Sequence, residues 1–144
     1  MTRQFTLGKN ERLKSQKQIE QLFSEGKNFF VTPYRVFYQV NKIPHHHQTI
    51  PMTIATNIQI GVGVSGKNFK KAVDRNRIKR LTKEAYRLQK KDLQEILKQK
   101  KQQLNIFLVY TGKELPDFNT TKEKVNVILN RLITIIHENL SADT

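Results

Sequence analysis

Apolar residues recur along this chain with two periods, and the switches between them mark its elements. Ile19, Leu22 and Phe23 fall at helical spacing behind Ser15-Gln16-Lys17-Gln18. That stretch is a capping box, with Ser15 as N-cap and Gln18 three residues on. Gly26 suits a left-handed C′ position and ends this first helix, predicted over Gln16–Glu25. Tyr34 to Val40 is β-branched and aromatic and reads as a strand. Its alternation puts Tyr34, Val36, Tyr38 and Val40 on one face, and Arg35, Phe37 and Gln39 on the other. Thr53–Thr56 is a candidate second strand. Ile58, Ile60, Val62 and Val64 alternate with Gln59, Gly61 and Gly63 as a third.

The period then lengthens. Ile78, Leu81, Ala85 and Leu88 form one apolar stripe of a helix that begins near Lys71 and extends toward Leu93 and Leu97. Lys98 to Gln103 is too polar for a core and reads as a frayed end or loop. Asn105–Tyr110 is a buried-type strand, and Gly112 to Asn119 is a turn around Pro116. Thr120-Thr121-Lys122-Glu123 reads as a second capping box, followed by an amphipathic helix through Val125, Ile128, Leu129, Leu132, Ile133 and Ile136. The predicted order is α-β-β-β-α-β-α. That is an α+β fold, a small two-layer sandwich of helices against one sheet, in a single domain over residues 1–144. Met1–Lys14 is polar and basic and is expected to be a flexible arm.

Charge narrows the function. The chain carries 26 Lys and Arg against 12 Asp and Glu, a net charge of +14 in 144 residues. Folding gains nothing from that imbalance, so it points to an acidic partner. No helix pairs a basic face with a broad Trp, Phe and Leu face, which disfavours a membrane surface. No run reaches the roughly 18–20 apolar residues of a bilayer span. The N-terminus lacks the apolar core of a signal peptide, and there is no cysteine. A cytoplasmic location is expected.

The densest charge lies in Lys67-Asn68-Phe69-Lys70-Lys71-Ala72-Val73-Asp74-Arg75-Asn76-Arg77-Ile78-Lys79-Arg80-Leu81. Arg75, Arg77, Lys79 and Arg80 surround Asn76 at a helix start, an arrangement that repels itself until a polyanion neutralises it. A solvated basic face is the plain alternative. Phe23, Tyr34 and Tyr38 could face one another across a cleft as stacking platforms for single-stranded nucleic acid, or simply fill a core. Gly61-Val62-Gly63-Val64-Ser65-Gly66 has the spacing of a dinucleotide-binding turn. The strand runs through its glycines, however, so it reads as a flattened sheet face open to close approach. His45-His46-His47 reads as a solvated loop rather than a metal site. The carboxylates are scattered, and Asp92 and Glu95 sit among lysines. No catalytic or metal-binding set emerges, which argues against an autonomous nuclease.

These residues resemble the protein subunit of bacterial ribonuclease P over nearly the whole chain. The likeness lies in Arg12-Leu13-Lys14, Phe23-Ser24-Glu25-Gly26-Lys27, Gly61-Val62-Gly63-Val64-Ser65 and, most specifically, Ala72 to Arg80, which resembles the family's "RNR" signature. Ile19 stands where the family often has an aromatic, and Lys70 and Lys71 where many members have glycine. The resemblance implies a left-handed β-α-β crossover carrying the RNR helix, against the usual hand. It implies a non-catalytic protein subunit of a ribonucleoprotein endoribonuclease that removes the 5′ leader of precursor tRNA. Chemistry is expected on the RNA subunit, with Mg²⁺ bound mainly there. Arg75, Asn76, Arg77, Lys79 and Arg80 are expected to meet RNA, with Lys67, Lys70, Lys71, Lys83 and Arg87 adding contacts. Phe23, Tyr34 and Tyr38 are expected to line the leader cleft. The partners implied are ribonuclease P RNA and precursor tRNA, with no membrane. The alternatives are a general or ribosomal RNA-binding protein, a protein-only nuclease, and a partner-binding module built on the last helix.

Overall fold

A computed structural model describes residues 12–13, 15–42 and 58–142. In chain order the elements are α1 (Gln16–Glu25), β1 (Lys27–Val31), β2 (Tyr34–Lys42), β3 (Ile58–Val64), α2 (Ala72–Gln89), α3 (Lys91–Lys100), β4 (Gln102–Tyr110) and α4 (Phe118–Ala142). The four strands form one sheet in the order β1-β2-β4-β3. β1 and β2 are an antiparallel hairpin, β2 is antiparallel to β4, and β3 runs parallel to β4. A parallel pair needs a crossover, and α2 with α3 provides it.

The core lies on one face of the sheet. Tyr34, Val36, Ile58, Ile60, Ile106 and Leu108 project from the strands. They pack with Ile78, Tyr86, Leu93, Leu97, Val125, Ile128 and Leu132 from α2, α3 and α4. Each aliphatic side chain among them, fully buried, stabilises by about 1.5–3 kcal/mol relative to exposure. Tyr34 carries its hydroxyl into this core, 2.7 Å from the Thr82 hydroxyl of α2. Burial pushes its phenol pKa up, and the Thr82 hydrogen bond partly opposes that. α1 alone lies on the opposite face, so a single helix is added to the expected two-layer core.

Several expectations change. The first strand after α1 is Lys27–Val31, and Thr53–Thr56 and His45–His47 lie outside the described residues. The stripe of α2 is rotated from the expected one. Thr82 and Tyr86 are buried with Ile78 and Ala85, whereas Leu88 is exposed. Thr82 can be buried because its hydroxyl also donates to Ile78 O at 2.9 Å. The long helix divides at Lys90, and its second half ends at Lys101, which takes a left-handed conformation at φ 53°. Only that residue separates α3 from β4, so the polar Lys98–Gln103 stretch is helix, turn and strand rather than a loop.

Two caps also differ. Asp117, not Thr120, caps α4, its carboxylate accepting from Thr120 N at 2.7 Å. Gly26 is extended at φ −76° and not left-handed. A Cβ there would stand 2.5 Å from Leu22 O, so close approach is what requires glycine. The end of the predicted arm is anchored. Leu13 is buried and donates its N–H to Ile60 O at 2.9 Å, along the outer edge of β3.

Candidate nucleic-acid interface

The loop from β3 into α2 is tied down from three sides. Asn68 Nδ2 donates to Thr111 O at 3.0 Å and to Gly112 O at 3.2 Å, just beyond the end of β4. Phe69 is buried with its ring 6.1 Å from that of Tyr110. Arg75, from the first turn of α2, turns back on the loop, and Nη1 donates to Phe69 O and to Lys70 O, each at 2.8 Å. Lys71 is the N-cap and makes no side-chain capping bond. Lys67, Lys70 and Lys71 remain exposed on this ordered loop.

At about 100° per residue, the basic residues of α2 divide between its flanks. Asn76, Lys79, Arg80, Lys83 and Arg87 fall on one flank, where with Glu84 they line a shallow pocket of about 350 Å³. Arg12 completes that pocket from beside β3. Arg77 is exposed and falls on the other side of the helix. Arg75 lies two turns before buried Thr82 and so points toward the body of the domain. Arg87 is partly neutralised. Its Nε donates to Glu84 Oε2 at 3.0 Å and its Nη2 pairs with Glu84 Oε1. The Arg87 hydrogen bond holds the Glu84 carboxyl below its usual range. Arg12 was not among the sequence-predicted site residues. Its signal was only the Arg12-Leu13-Lys14 segment, with nothing local to say that β3 would receive it.

The sheet face under α1 carries a second set of residues. Phe23 packs on Phe37, with ring centroids 4.6 Å apart, and edge-on to Phe107 at 5.2 Å. Phe37 and Phe107 are direct partners across β2 and β4, and Gly61 is the partner of Phe107 on β3. A Cβ on Gly61 would meet Phe107 Cδ2 at 2.6 Å, and one on Gly63 would meet Cε1 at 3.0 Å. The flattened face read from those glycines receives an aromatic ring. Phe23 is still 44% exposed, so the cluster opens to solvent. Beside it, Arg35 stands 6.0 Å over the ring of Phe30, which is 47% exposed.

Tyr34 and Tyr38 do not join Phe23 across a cleft. They project from the opposite face of β2, under the helices, where Tyr34 is 1% and Tyr38 8% exposed. Tyr38 packs on Phe29, whose ring also carries Arg131 at 4.5 Å. The period-2 alternation separated the two faces of β2 correctly, and Phe23 meets the Phe37 side. Phe37, Phe107, Phe30 and Arg35, which the sequence reading did not single out, share the open face with Phe23.

Among the described residues, no three His, Asp or Glu side chains gather as a metal site. Among the same residues, no helix is long and apolar enough to cross a membrane.

Fold and surface define the class: a small α+β domain with one basic helix flank and one open aromatic sheet face, suited to a nucleic-acid chain. The ribonuclease P family model matches residues 7–133, and the chain belongs to that family. It is 38% identical to the ribonuclease P protein component of Porphyromonas gingivalis (strain ATCC 33277) over 128 residues, 89% of this chain and 87% of that protein. It is 29% identical to the ribonuclease P protein component of Chlorobium phaeobacteroides, over 88% of each chain. The RNase P protein from Thermotoga maritima superposes with a TM-score of 0.61 at 25% identity, covering 84% of this chain and 96% of that one. A Staphylococcus aureus RNase P protein, at 15% identity and a TM-score of 0.57, shares the fold.

Proposed function

We propose that this chain is the protein subunit of a ribonuclease P, binding the catalytic RNA subunit and holding the 5′ leader of precursor tRNA for endonucleolytic removal. The observation that carries this reading is the division of the surface in a member of this family. Arg12, Asn76, Lys79, Arg80 and Lys83 line one flank of α2, and Phe23, Phe37 and Phe107 cluster on the other face of the sheet.

The basic flank, with Lys67, Lys70, Lys71 and Arg77, takes the phosphates of the RNA subunit. Arg87 contributes less, because Glu84 already pairs with it. The aromatic face takes the leader, with Phe23, Phe37 and Phe107 as platforms; Tyr34 and Tyr38 support that face from beneath. Magnesium is held by the RNA, and the protein's cations lower the repulsion between two RNA chains. The site of action is the cytoplasm.

Cleavage of precursor tRNA by a bacterial ribonuclease P RNA at low magnesium, with and without this protein, tests the assignment. Correct 5′ maturation restored by the protein is expected. RNA binding with no rescue of cleavage would reduce the chain to a general RNA-binding protein.

A further inference from the structure

Arg75 sits in the most basic segment of the chain, yet its guanidinium is turned inward. Both Nη1 protons go to successive carbonyls, Phe69 O and Lys70 O, each at 2.8 Å. A hydrogen bond from an ionised donor belongs to the stronger class. A guanidinium only donates, so these bonds do not cap the N–H groups of the first turn; they hold the carbonyls of the loop. The result is a strap from the first turn of α2 back over the loop that precedes it. Just upstream of the strap, Phe69 is anchored in the core against Tyr110. Lys70 and Lys71 lie between that anchor and the helix and are both exposed.

We infer that Arg75 is a positioning residue: it acts on the RNA subunit by fixing the backbone that presents Lys70 and Lys71, rather than as one more phosphate contact. This rests on the proposed RNA-facing role of the loop. Without the strap, Phe69 still anchors the loop, but the Lys70-Lys71 backbone is free to rotate, and holding both lysines on phosphates costs more chain entropy than the contacts return, so those contacts are lost.

The test is a double-mutant cycle on binding of the full chain to a bacterial ribonuclease P RNA, in a salt series. The variants are Arg75→Ala, Lys70→Ala/Lys71→Ala, and the triple substitution. Wild-type protein must bind with a steep salt dependence; flat binding would sink the RNA-facing role itself and this inference with it. Given that binding, Arg75→Ala is expected to weaken affinity about tenfold in the native background and less than about twofold where Lys70 and Lys71 are already alanine. It should also make the log–log salt slope shallower by about 1.8, because two phosphate contacts are lost at about 0.9 each, against about 0.9 for a direct Arg75 contact. Global destabilisation would remove folded protein without changing that slope. An equal factor in both backgrounds, as for a direct phosphate contact, or a slope change of about 0.9 or less overturns the inference. If Arg75→Ala loses its cooperative thermal transition, Arg75→Lys carries the same cycle. It keeps the charge, but its ammonium ends one bond short of the Nη1 position that reaches both carbonyls.

Discussion

Phe107 reaches the far face of the sheet because β3 offers it two glycines. A Cβ at Gly61 would overlap two ring carbons, at 2.6 and 2.7 Å. Gly61→Ala must therefore push the ring away and deprive Phe23 of its edge-on partner. The expected cost is about 1–3 kcal/mol in chemical denaturation, as for overpacking elsewhere. Lys101 is the opposite case, a lysine at φ 53° where glycine would sit without strain. Lys101→Gly is expected to raise stability by about 0.5–1 kcal/mol, because relief of the left-handed conformation outweighs the added chain entropy. At this scale the sequence was legible in its periods and ambiguous in its faces. Alternation set Phe37 apart from Tyr34 and Tyr38. Both faces of β2 carry aromatics, however, and only the docking of α2 and α4 on one of them decides which is core. Thr82 was illegible for a related reason, since its burial depends on the Tyr34 hydroxyl from a distant strand.

Among the elements, α1, β2, β3, β4 and α4 follow from local pattern, and the misses have local causes. β1 is only five residues long and lacks a clean alternation, so its partner β2, not its own sequence, makes it a strand. The α2–α3 break at Lys90 has no glycine or proline to announce it, and Lys90 is itself buried. The start of α4 was placed late because Thr120 and Glu123 mimic a capping box while Asp117 does the capping. The Thr120 backbone N–H bond lowers the Asp117 pKa. Its contribution is therefore fully present above the ordinary aspartate range and is lost as pH falls through the lower folded value. Asparagine caps comparably without titrating. Thermal midpoints measured from pH 7 downward are expected to show a smaller fall below about pH 4 in Asp117→Asn than in the native chain. Parallel curves would mean that this cap contributes nothing to the acid limb.

For the molecule as a whole, the net charge of +14 predicted the class of partner, and the Arg75–Arg80 segment the family. Neither could show that the sheet divides the surface in two. The Arg12 flank of α2 lies at the outer edge of β3, and the Phe23 cluster lies under α1 on the face away from the core. If about five to eight phosphates are neutralised, binding of the RNA subunit should fall with salt at a log–log slope on the order of −4 to −6. A slope near zero would contradict a phosphate-driven interface. The affinity of the reconstituted holoenzyme for leader-bearing precursor tRNA relative to mature tRNA, native chain against Phe37→Ala, tests whether the two surfaces divide the labour. The native holoenzyme is expected to prefer the precursor. The variant should lose at least about fivefold of that preference, the worth of one stacked base, while binding the RNA subunit as before. An undiminished preference, or a loss of RNA-subunit binding in step with it, would contradict two separate surfaces.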